Sequence, residues 1–453
     1  MPFQSINPAT GELCKTYPET PRKEAERAAE EIHEGFHRWR RIPLSERAPL
    51  LKNLAQGLKK GKSRLAPLIT QEMGKPIGQA EAEVEKCAWV TDFYADHAAD
   101  YLNPKEVTSD ASKSYIRYDP LGVILAIMPW NFPFWQVFRC AVPSLVAGNA
   151  IILKHAPNVP GCAIAIEELF TQAGLKEIFC SLFASLETTA RLIESPFVQG
   201  VSLTGSDRAG SQVAALAGKH LKKVALELGG SDPFIVLEDA DLKTAIPAAI
   251  AARMQNSGQS CIAAKRFLVT EKIAKKFEQA LVEAVQEQKI GDPMDLTTTI
   301  GPIARADLLT NLVRQVEESR KQGAKVLVGG ERWGKKGFFY LPTVLEEVRP
   351  GICAFEEETF GPVASLTTVK DENEAVALAN KTAYGLGASL WTKDLAKAER
   401  LASQIEAGAV FINGVVHSDP RLPFGGIKRS GYGRELGREG ILEFTNVKTV
   451  WIK

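Results

Sequence analysis

What the chain has little of narrows its function first. No stretch of its 453 residues concentrates lysine and arginine, and 55 basic residues against 54 acidic ones leave a formal charge of +1. A nucleic-acid footprint is therefore absent. Histidine is scarce, six residues with no metal-ligand spacing, so no metal is expected. The seven cysteines (14, 87, 140, 162, 180, 261 and 353) include no C-x-x-C pair. An odd count without a framework reads as reduced thiols in a cytosolic compartment. The first twenty residues lack the basic start and apolar stretch of a secretory signal, which also points to the cytoplasm. An unbroken apolar span is missing too. Residues 121 to 153 are long enough to cross a bilayer, but Pro129, Pro133, Pro143, Asn131, Gln136 and Arg139 interrupt them. The segment reads instead as strand, turn, buried helix, strand. Nor is there a standard dinucleotide fingerprint: Gly431-Tyr432-Gly433 with Gly437 has the wrong spacing and follows no strand.

What is present is an α/β pattern on a chain long enough for two or three domains. Residues 20 to 105 alternate charged and apolar positions at helical spacing and predict several amphipathic helices. Strands are expected at Val123–Ile127, Ile151–Leu153, Val201–Leu203 and Val224–Leu226, with helices over Phe134–Val146 (closed by Gly148) and Asp207–Ala217. A second series follows: strand Phe234–Leu237, helix Leu242–Met254, strand Phe267–Val269, and near the end strand Ala409–Ile412. Strands alternating with helices in this way predict parallel sheets. Gly229-Gly230 is a plausible hinge between the two series.

Two features carry chemistry. Cys261 sits among small, turn-forming residues, Asn256-Ser257-Gly258-Gln259-Ser260, where a thiol is easy to expose and poor at filling a core. Glu227 ends the apolar run Val224-Ala225-Leu226, where a carboxylate must be solvated, paired or useful. Together they supply a nucleophile and a base for acyl chemistry. A third feature is the turn Leu203-Thr204-Gly205-Ser206 with Gly210 beyond it. Glycine at a strand end lets backbone approach a ligand, and a helix N-terminus favours phosphate.

With Pro129-Trp130-Asn131 upstream, Glu358-Thr359-Phe360-Gly361-Pro362 downstream, and ends at Asn7-Pro8-Ala9-Thr10-Gly11 and Pro423-Phe424-Gly425-Gly426, the set resembles the aldehyde dehydrogenase superfamily. The resemblance implies a Rossmann-like cofactor domain (1–111 and 126–228), an α/β catalytic domain (229–429) and small oligomerisation segments (112–125 and 430–453) of a homodimer or homotetramer. It implies cofactor contacts from Met128, Pro129, Trp130, Lys154, Pro157, Gly205, Ser206, Leu228, Glu358 and Phe360. It further implies that Cys261 attacks the aldehyde and that Asn131 and the Cys261 N–H hold the resulting oxyanion. A hydride then leaves for the nicotinamide, and Glu227 activates the water that hydrolyses the thioester. No histidine lies in these motifs, so the thiolate must rely on nearby dipoles, desolvation or the cationic cofactor.

The substrate side rests on spacing. Asn131, Trp135 and Arg139 are four residues apart, so one helix running through Asn131 would put all three on one side, Arg139 about 12 Å along the axis. Arginine on an apolar helix needs a partner, either an internal carboxylate or a substrate carboxylate. Met128 to Arg139 and His417-Ser418-Asp419-Pro420-Arg421 most resemble bacterial succinate-semialdehyde dehydrogenases. That likeness implies Trp135, Arg139, Ser418 and Phe424 around a small aldehyde with a distal carboxylate. Glutarate semialdehyde, a CoA-acylating reaction, a cysteine hydrolase and a non-enzymatic scaffold are the competing readings. At the ribose, relatives place glutamate (for NAD) or serine (for NADP) three residues after the lysine, whereas this chain has Pro157, which offers neither. The expectation is use of both NAD and NADP.

Overall fold

The computed structural model describes residues 3–453. A hairpin, β1 (Phe3–Asn7) and β2 (Glu12–Tyr17), leads into α1 (Arg22–Trp39), α2 (Leu44–Met73) and α3 (Ile77–Leu102). Two strands follow, β3 (Lys105–Glu106) and β4 (Lys113–Pro120). The first α/β series is β5 (Val123–Met128), α4 (Trp135–Val146), β6 (Ala150–His155), α5 (Pro160–Gln172), β7 (Phe179–Ser181), α6 (Leu186–Glu194), β8 (Val198–Thr204), α7 (Asp207–Lys219) and β9 (Lys223–Glu227). The second opens with β10 (Asp232–Val236), α8 (Leu242–Met254), β11 (Ala264–Thr270), α9 (Glu271–Gln286) and α10 (Ala306–Lys321). It continues through β12 (Lys325–Val328), β13 (Thr343–Glu346), α11 (Cys353–Glu356), β14 (Val363–Val369), α12 (Glu372–Asn380), β15 (Gly387–Trp391), α13 (Leu395–Ala402) and β16 (Ala409–Ile412). The chain closes with β17 (Gly431–Tyr432), α14 (Gly437–Leu442) and β18 (Thr445–Ile452).

These strands form a six-stranded sheet (β17-β9-β8-β5-β6-β7), a seven-stranded sheet (β12-β13-β14-β11-β10-β15-β16) and a three-stranded sheet (β18-β4-β3). The inner strands of the first two are parallel and buried on both faces, which explains their continuous apolar sequences. The sheets cross the boundaries expected from sequence. Val123–Leu125, within the expected oligomerisation segments, belong to β5 in the six-stranded sheet, and β17, also within them, pairs antiparallel with β9 there. In the three-stranded sheet all eight residues of β4 pair with β18, whose other edge carries no strand among the described residues. Among the described residues no helix is long and apolar enough to cross a membrane.

Register places the chemistry. Lys154 stands beside Ile127, Ile127 beside Leu203, and Thr204 beside Glu227, so the carboxyl ends of four parallel strands share one rim. Asp232 at the start of β10 pairs with Ala264 at the start of β11, which sets the Cys261 loop at the amino end of the second sheet. The carboxyl rim of an open parallel sheet is where ligands bind in such folds.

Candidate active site

The loop before Cys261 is wound backwards. Asn256 (φ 53°), Ser257 (φ 54°) and Gly258 (φ 75°) take the left-handed conformation in succession. Two of them are not glycine, a strain of order 1–3 kcal/mol each that surrounding bonds must hold. Those bonds are numerous. The Asn256 N–H donates to Gln79 Oε1 (2.7 Å) and its Nδ2 to the carbonyls of Asn131 (2.7 Å) and Gln259 (3.0 Å). Ser257 Oγ accepts from the Gly301 N–H, and buried Arg253 donates to the carbonyls of Gly258 and Gly361, both at 2.6 Å. Gly258 is required here: a Cβ would lie 2.2 Å from the Gly361 carbonyl oxygen. The loop ends on Lys265, fully buried, whose ammonium donates to the carbonyls of Ser260 (2.8 Å) and Cys261 (2.6 Å) and pairs with Glu358 Oε1 at 3.2 Å.

The Cys261 thiol is pushed up to about 12 by burial, while the charges of Arg139 and Lys265 pull the other way. It is a thiol in the free protein. Glu227 is 3% exposed, and neither carboxylate oxygen has a hydrogen-bond partner. Burial holds its carboxyl well above the usual range, against the opposing pull of Arg139. Glu227 is thus neither solvated nor paired. Gly425 leaves it room, since a Cβ there would sit 2.7 Å from Oε1.

Cys261 stands between two cavities. One, of about 210 Å³, is lined by Pro129, Trp130, Asn131, Gly205, Ser206, Leu228, Glu358 and Phe360. The other, of about 160 Å³, is lined by Lys86, Trp135, Arg139, Cys261, Ser418 and Phe424 among others. Asn131 does not share a face with Trp135 and Arg139. The helix begins at Trp135, and Asn131 lies in the preceding bend, facing the larger cavity. Its Nδ2 donates to the Gln259 carbonyl (3.1 Å), leaving a second N–H uncommitted.

The chain matches the aldehyde dehydrogenase family over residues 1–450. This chain belongs to the aldehyde dehydrogenase family. It is 52% identical over the whole of both chains to a probable succinate-semialdehyde dehydrogenase [NADP(+)] of Synechocystis sp.. It is 47% identical to the Escherichia coli succinate semialdehyde dehydrogenase [NAD(P)+] Sad, covering 99% of this chain and 97% of that one. Among solved structures, Gox0499, described for its cofactor and substrate selection, superposes with a TM-score of 0.98 at 41% identity over all of both chains. The Streptococcus pyogenes succinic semialdehyde dehydrogenase in complex with NADP+ gives 0.97 at 37% identity over 99% of each.

In this aldehyde dehydrogenase the remaining cofactor candidates sit on the rim of the six-stranded sheet. Ser206 caps α7 by accepting from the Ala209 N–H, and Gly205 donates to the Glu227 carbonyl. Leu228 packs on α7 where a Cβ at Gly210 would meet its Cδ2 at 2.6 Å. Met128 is buried at the end of β5. Lys154, at the end of β6, has no carboxylate within ion-pair range among the described residues, and burial lowers its pKa. Pro157 uses its carbonyl to accept from the Gln4 N–H (3.1 Å). Neither Lys154 nor Pro157 lines the cavity beside Cys261.

Arg139 is fully buried and its Nε faces Glu435 Oε2 in an ion pair; its guanidinium lies 4.5 Å from the Phe424 ring centroid. The internal carboxylate is therefore present, and the arginine still forms part of the cavity wall. Glu435, Lys265 and Lys86 carry no local signal in the sequence. A buried arginine demands a carboxylate, but nothing local to Arg139 says which one.

Proposed function

We propose that this enzyme oxidises succinate semialdehyde to succinate with NADP+ or NAD+. The observation that carries the reading is the smaller cavity: it opens on Cys261 and its wall bears two cations and a serine hydroxyl, Arg139, Lys86 and Ser418. A neutral or cationic aldehyde gains nothing from such a wall, whereas a carboxylated one does. The names of the relatives support the same substrate.

The larger cavity fits a nicotinamide cofactor on this chain's own features. Gly205 and the capping Ser206 bring the amino end of α7 to the cavity, Lys154 is a cation without a counter-ion farther along the same sheet rim, and Glu358, fixed by Lys265 and the Gly230 N–H (3.1 Å), borders the cavity next to Phe360. When bound, the nicotinamide accepts a hydride. In the steps assigned to the protein, the Cys261 thiol releases its proton to solvent as the sulfur bonds to the aldehyde carbon and the free N–H of Asn131 stabilises the oxygen of the thiohemiacetal; with a cofactor bound to take the hydride, this adduct would become a thioester on Cys261. Glu227, with no partner to give up, takes the proton of the hydrolysing water once it has released its own to solvent, and Cys261 leaves as the thiolate. The sheets suggest the division of labour: the six-stranded sheet with α1–α3 for the cofactor, the seven-stranded sheet for Cys261, and the three-stranded sheet for assembly. Val447 (62% exposed) and Trp451 (49%) on the free edge strand β18 support a homo-oligomer. Light scattering at micromolar concentration should give a dimer or tetramer mass, and a monomer mass would refute this.

The test of the activity is cofactor reduction with succinic semialdehyde, glutaric semialdehyde, butyraldehyde and betaine aldehyde, with and without CoA. Succinic semialdehyde should give the highest kcat/KM, with free acid as product. Equal rates with butyraldehyde, or a requirement for CoA, would overturn the reading.

A further inference from the structure

Lys265 is an expensive way to brace a loop. It is the second residue of β11, and successive strand residues point to opposite faces of a sheet. Arg266 turns to one face and donates to the carbonyls of Ser231 (2.9 Å), Leu378 (2.7 Å) and Ala379 (2.8 Å). Lys265 turns to the other, toward the nucleophile loop. Its side chain has no exposed surface, and its ammonium meets three acceptors: the Ser260 and Cys261 carbonyls and the Glu358 carboxylate. Much of the rest of the loop is held by neutral amides. Asn256 Nδ2 bonds two carbonyls, and Gln259 Nε2 bonds those of Asn256 (3.2 Å) and Pro302 (3.3 Å). An ammonium costs more to bury than an amide, so its charge calls for a use that an amide would not serve.

The peptide units that Lys265 touches supply that use. The Ser260 carbonyl and the Cys261 N–H belong to one planar trans unit and point in opposite directions. Lys265 holds the oxygen of this unit at 2.8 Å and the Ala263 N–H holds it at 3.2 Å, so the Cys261 N–H is turned away from the ammonium. Among the described residues no protein group accepts from that N–H. A cation on the oxygen draws electron density through the amide and makes the N–H a stronger donor, the cooperative effect of linked hydrogen bonds. The bond to the Cys261 carbonyl pins the next unit in the same way. Gly230 leaves room for that oxygen, since a Cβ there would lie 2.6 Å from it. Cys261 thus carries its thiol and a free N–H between two pinned peptide units.

We propose that Lys265 is a positioning residue that orients and polarises the Cys261 N–H, the second donor beside Asn131 to the oxygen of the adduct formed at Cys261. This rests on the proposed role of Cys261 as the nucleophile. The role separates from loop bracing because only one of two reactions of the same thiol builds an oxyanion. With p-nitrophenyl acetate the sulfur bonds to the carbonyl carbon and the carbonyl electron pair moves to oxygen. Collapse of that adduct expels p-nitrophenolate and leaves an acetyl thioester. With iodoacetamide the sulfur displaces iodide at a saturated carbon, and no oxyanion forms. In both reactions the thiol proton goes to solvent. A change in thiol ionisation or in loop order therefore enters both rates, whereas a change in oxyanion stabilisation enters only the first.

The readout is the ratio of acylation to alkylation rates at Cys261, measured without cofactor. Acylation is read from first-turnover release of p-nitrophenolate, alkylation from the mass of the labelled protein. Lys265→Met, close in length and uncharged, should lower the ratio roughly tenfold. That is less than the loss of about 10²–10³ expected of Asn131→Ala, because a donor is weakened and not removed. Lys265→Gln keeps one N–H donor without the charge and should lower the ratio roughly fivefold. A ratio within twofold of wild type in Lys265→Met, alongside a lowered one in Asn131→Ala, would make Lys265 a loop brace and overturn this proposal alone. Unchanged ratios in both variants would overturn the oxyanion site itself. A wild-type enzyme that p-nitrophenyl acetate does not acylate at Cys261 would overturn the nucleophile reading with it. Should Lys265→Met fail to fold, Lys265→Gln decides by the same twofold criterion.

Discussion

The two cavities that meet at Cys261 are built on opposite plans. On the cofactor side nearly every polar group is engaged with another protein group: Glu358 with Lys265 and the Gly230 N–H, Lys265 with two carbonyls of the nucleophile loop, Asn131 with Gln259. On the other side Lys86 has no carboxylate within ion-pair range, and buried Glu227, at the end of β9, has no hydrogen-bond partner. Groups bound to one another fix positions, and groups left over can respond to what enters. The same contrast separates two buried glutamates. Glu83 is held by a lysine and two backbone N–H groups and serves as a cap for α4, whereas Glu227 is kept free at the cost of an elevated pKa.

The harshest test removes the atom where the two plans meet. Cys261→Ala should abolish aldehyde oxidation, with kcat at least about 10⁴-fold below wild type. Intact-mass measurement after incubation with aldehyde and cofactor should find no acyl adduct in this variant. Glu227→Gln should instead accumulate such an adduct, because thioester forms but hydrolyses slowly. Normal turnover in either variant would dissolve the division between fixed and responsive groups.

A smaller loss is expected from Asn131. Its uncommitted N–H is a side-chain donor free to meet a developing oxyanion at Cys261, so Asn131→Ala should lower kcat by about 10²–10³, or about 2.7–4 kcal/mol. KM should move little. If KM rises while kcat holds, the amide serves only to brace Gln259 and the loop.

How far the sequence reached follows the same physics. Helix Leu242–Met254 and strand Ala409–Ile412 have the expected bounds, because long periodic or continuous apolar runs carry their own signal. No strand is expected from the sequence at the three-residue β7 or the two-residue β17, where cysteine, serine, glycine and tyrosine make no apolar run. Glu227 and Cys261 stand out locally, one by charge at the end of an apolar strand and one by the small residues around it. The placement of Asn131 with Trp135 and Arg139 failed because the helix starts only at Trp135. Glu435 and Lys265 are invisible for another reason: the pairing of a buried charge is decided by tertiary proximity, and Glu435 reaches Arg139 only because β17 returns to the edge of the six-stranded sheet.

A milder perturbation sits at the far end of the cofactor side. Lys154 is the unpaired cation of that region, and Pro157 adds neither a carboxylate to repel a 2′-phosphate nor a donor to hold one. The wild type should use both cofactors with kcat/KM values within roughly a hundredfold, about 2.7 kcal/mol. Pro157→Glu should shift the ratio toward NAD and Pro157→Ser toward NADP, each by about tenfold. Both keep the carbonyl that accepts from Gln4. Absolute specificity in the wild type, or no movement in either variant, would mean that the selection is made elsewhere in the cleft.

The smallest effect is on stability, and it discriminates most finely between an engaged and a free buried carboxylate. The folded-state pKa of Glu227 lies well above its ordinary value of 4.5, because burial disfavours the charged form and no hydrogen bond offsets it. The folded protein therefore holds a proton that the unfolded chain releases as pH rises past about 4.5. In that window the unfolded state binds fewer protons, so stability falls with rising pH until the folded pKa is passed. Below about pH 4 the group is protonated in both states and contributes no difference. Glutamine has nearly the same shape and no charge to bury, so Glu227→Gln should match the wild-type Tm in acid and exceed it increasingly toward pH 8, by on the order of 1–3 °C. The same variant loses thioester hydrolysis, so stability and turnover should move in opposite directions. Thermal unfolding of both proteins from pH 4 to pH 8 checks this. A variant less stable than wild type across that range would mean that Glu227 is an engaged carboxylate like Glu83, and the contrast between the two would not hold.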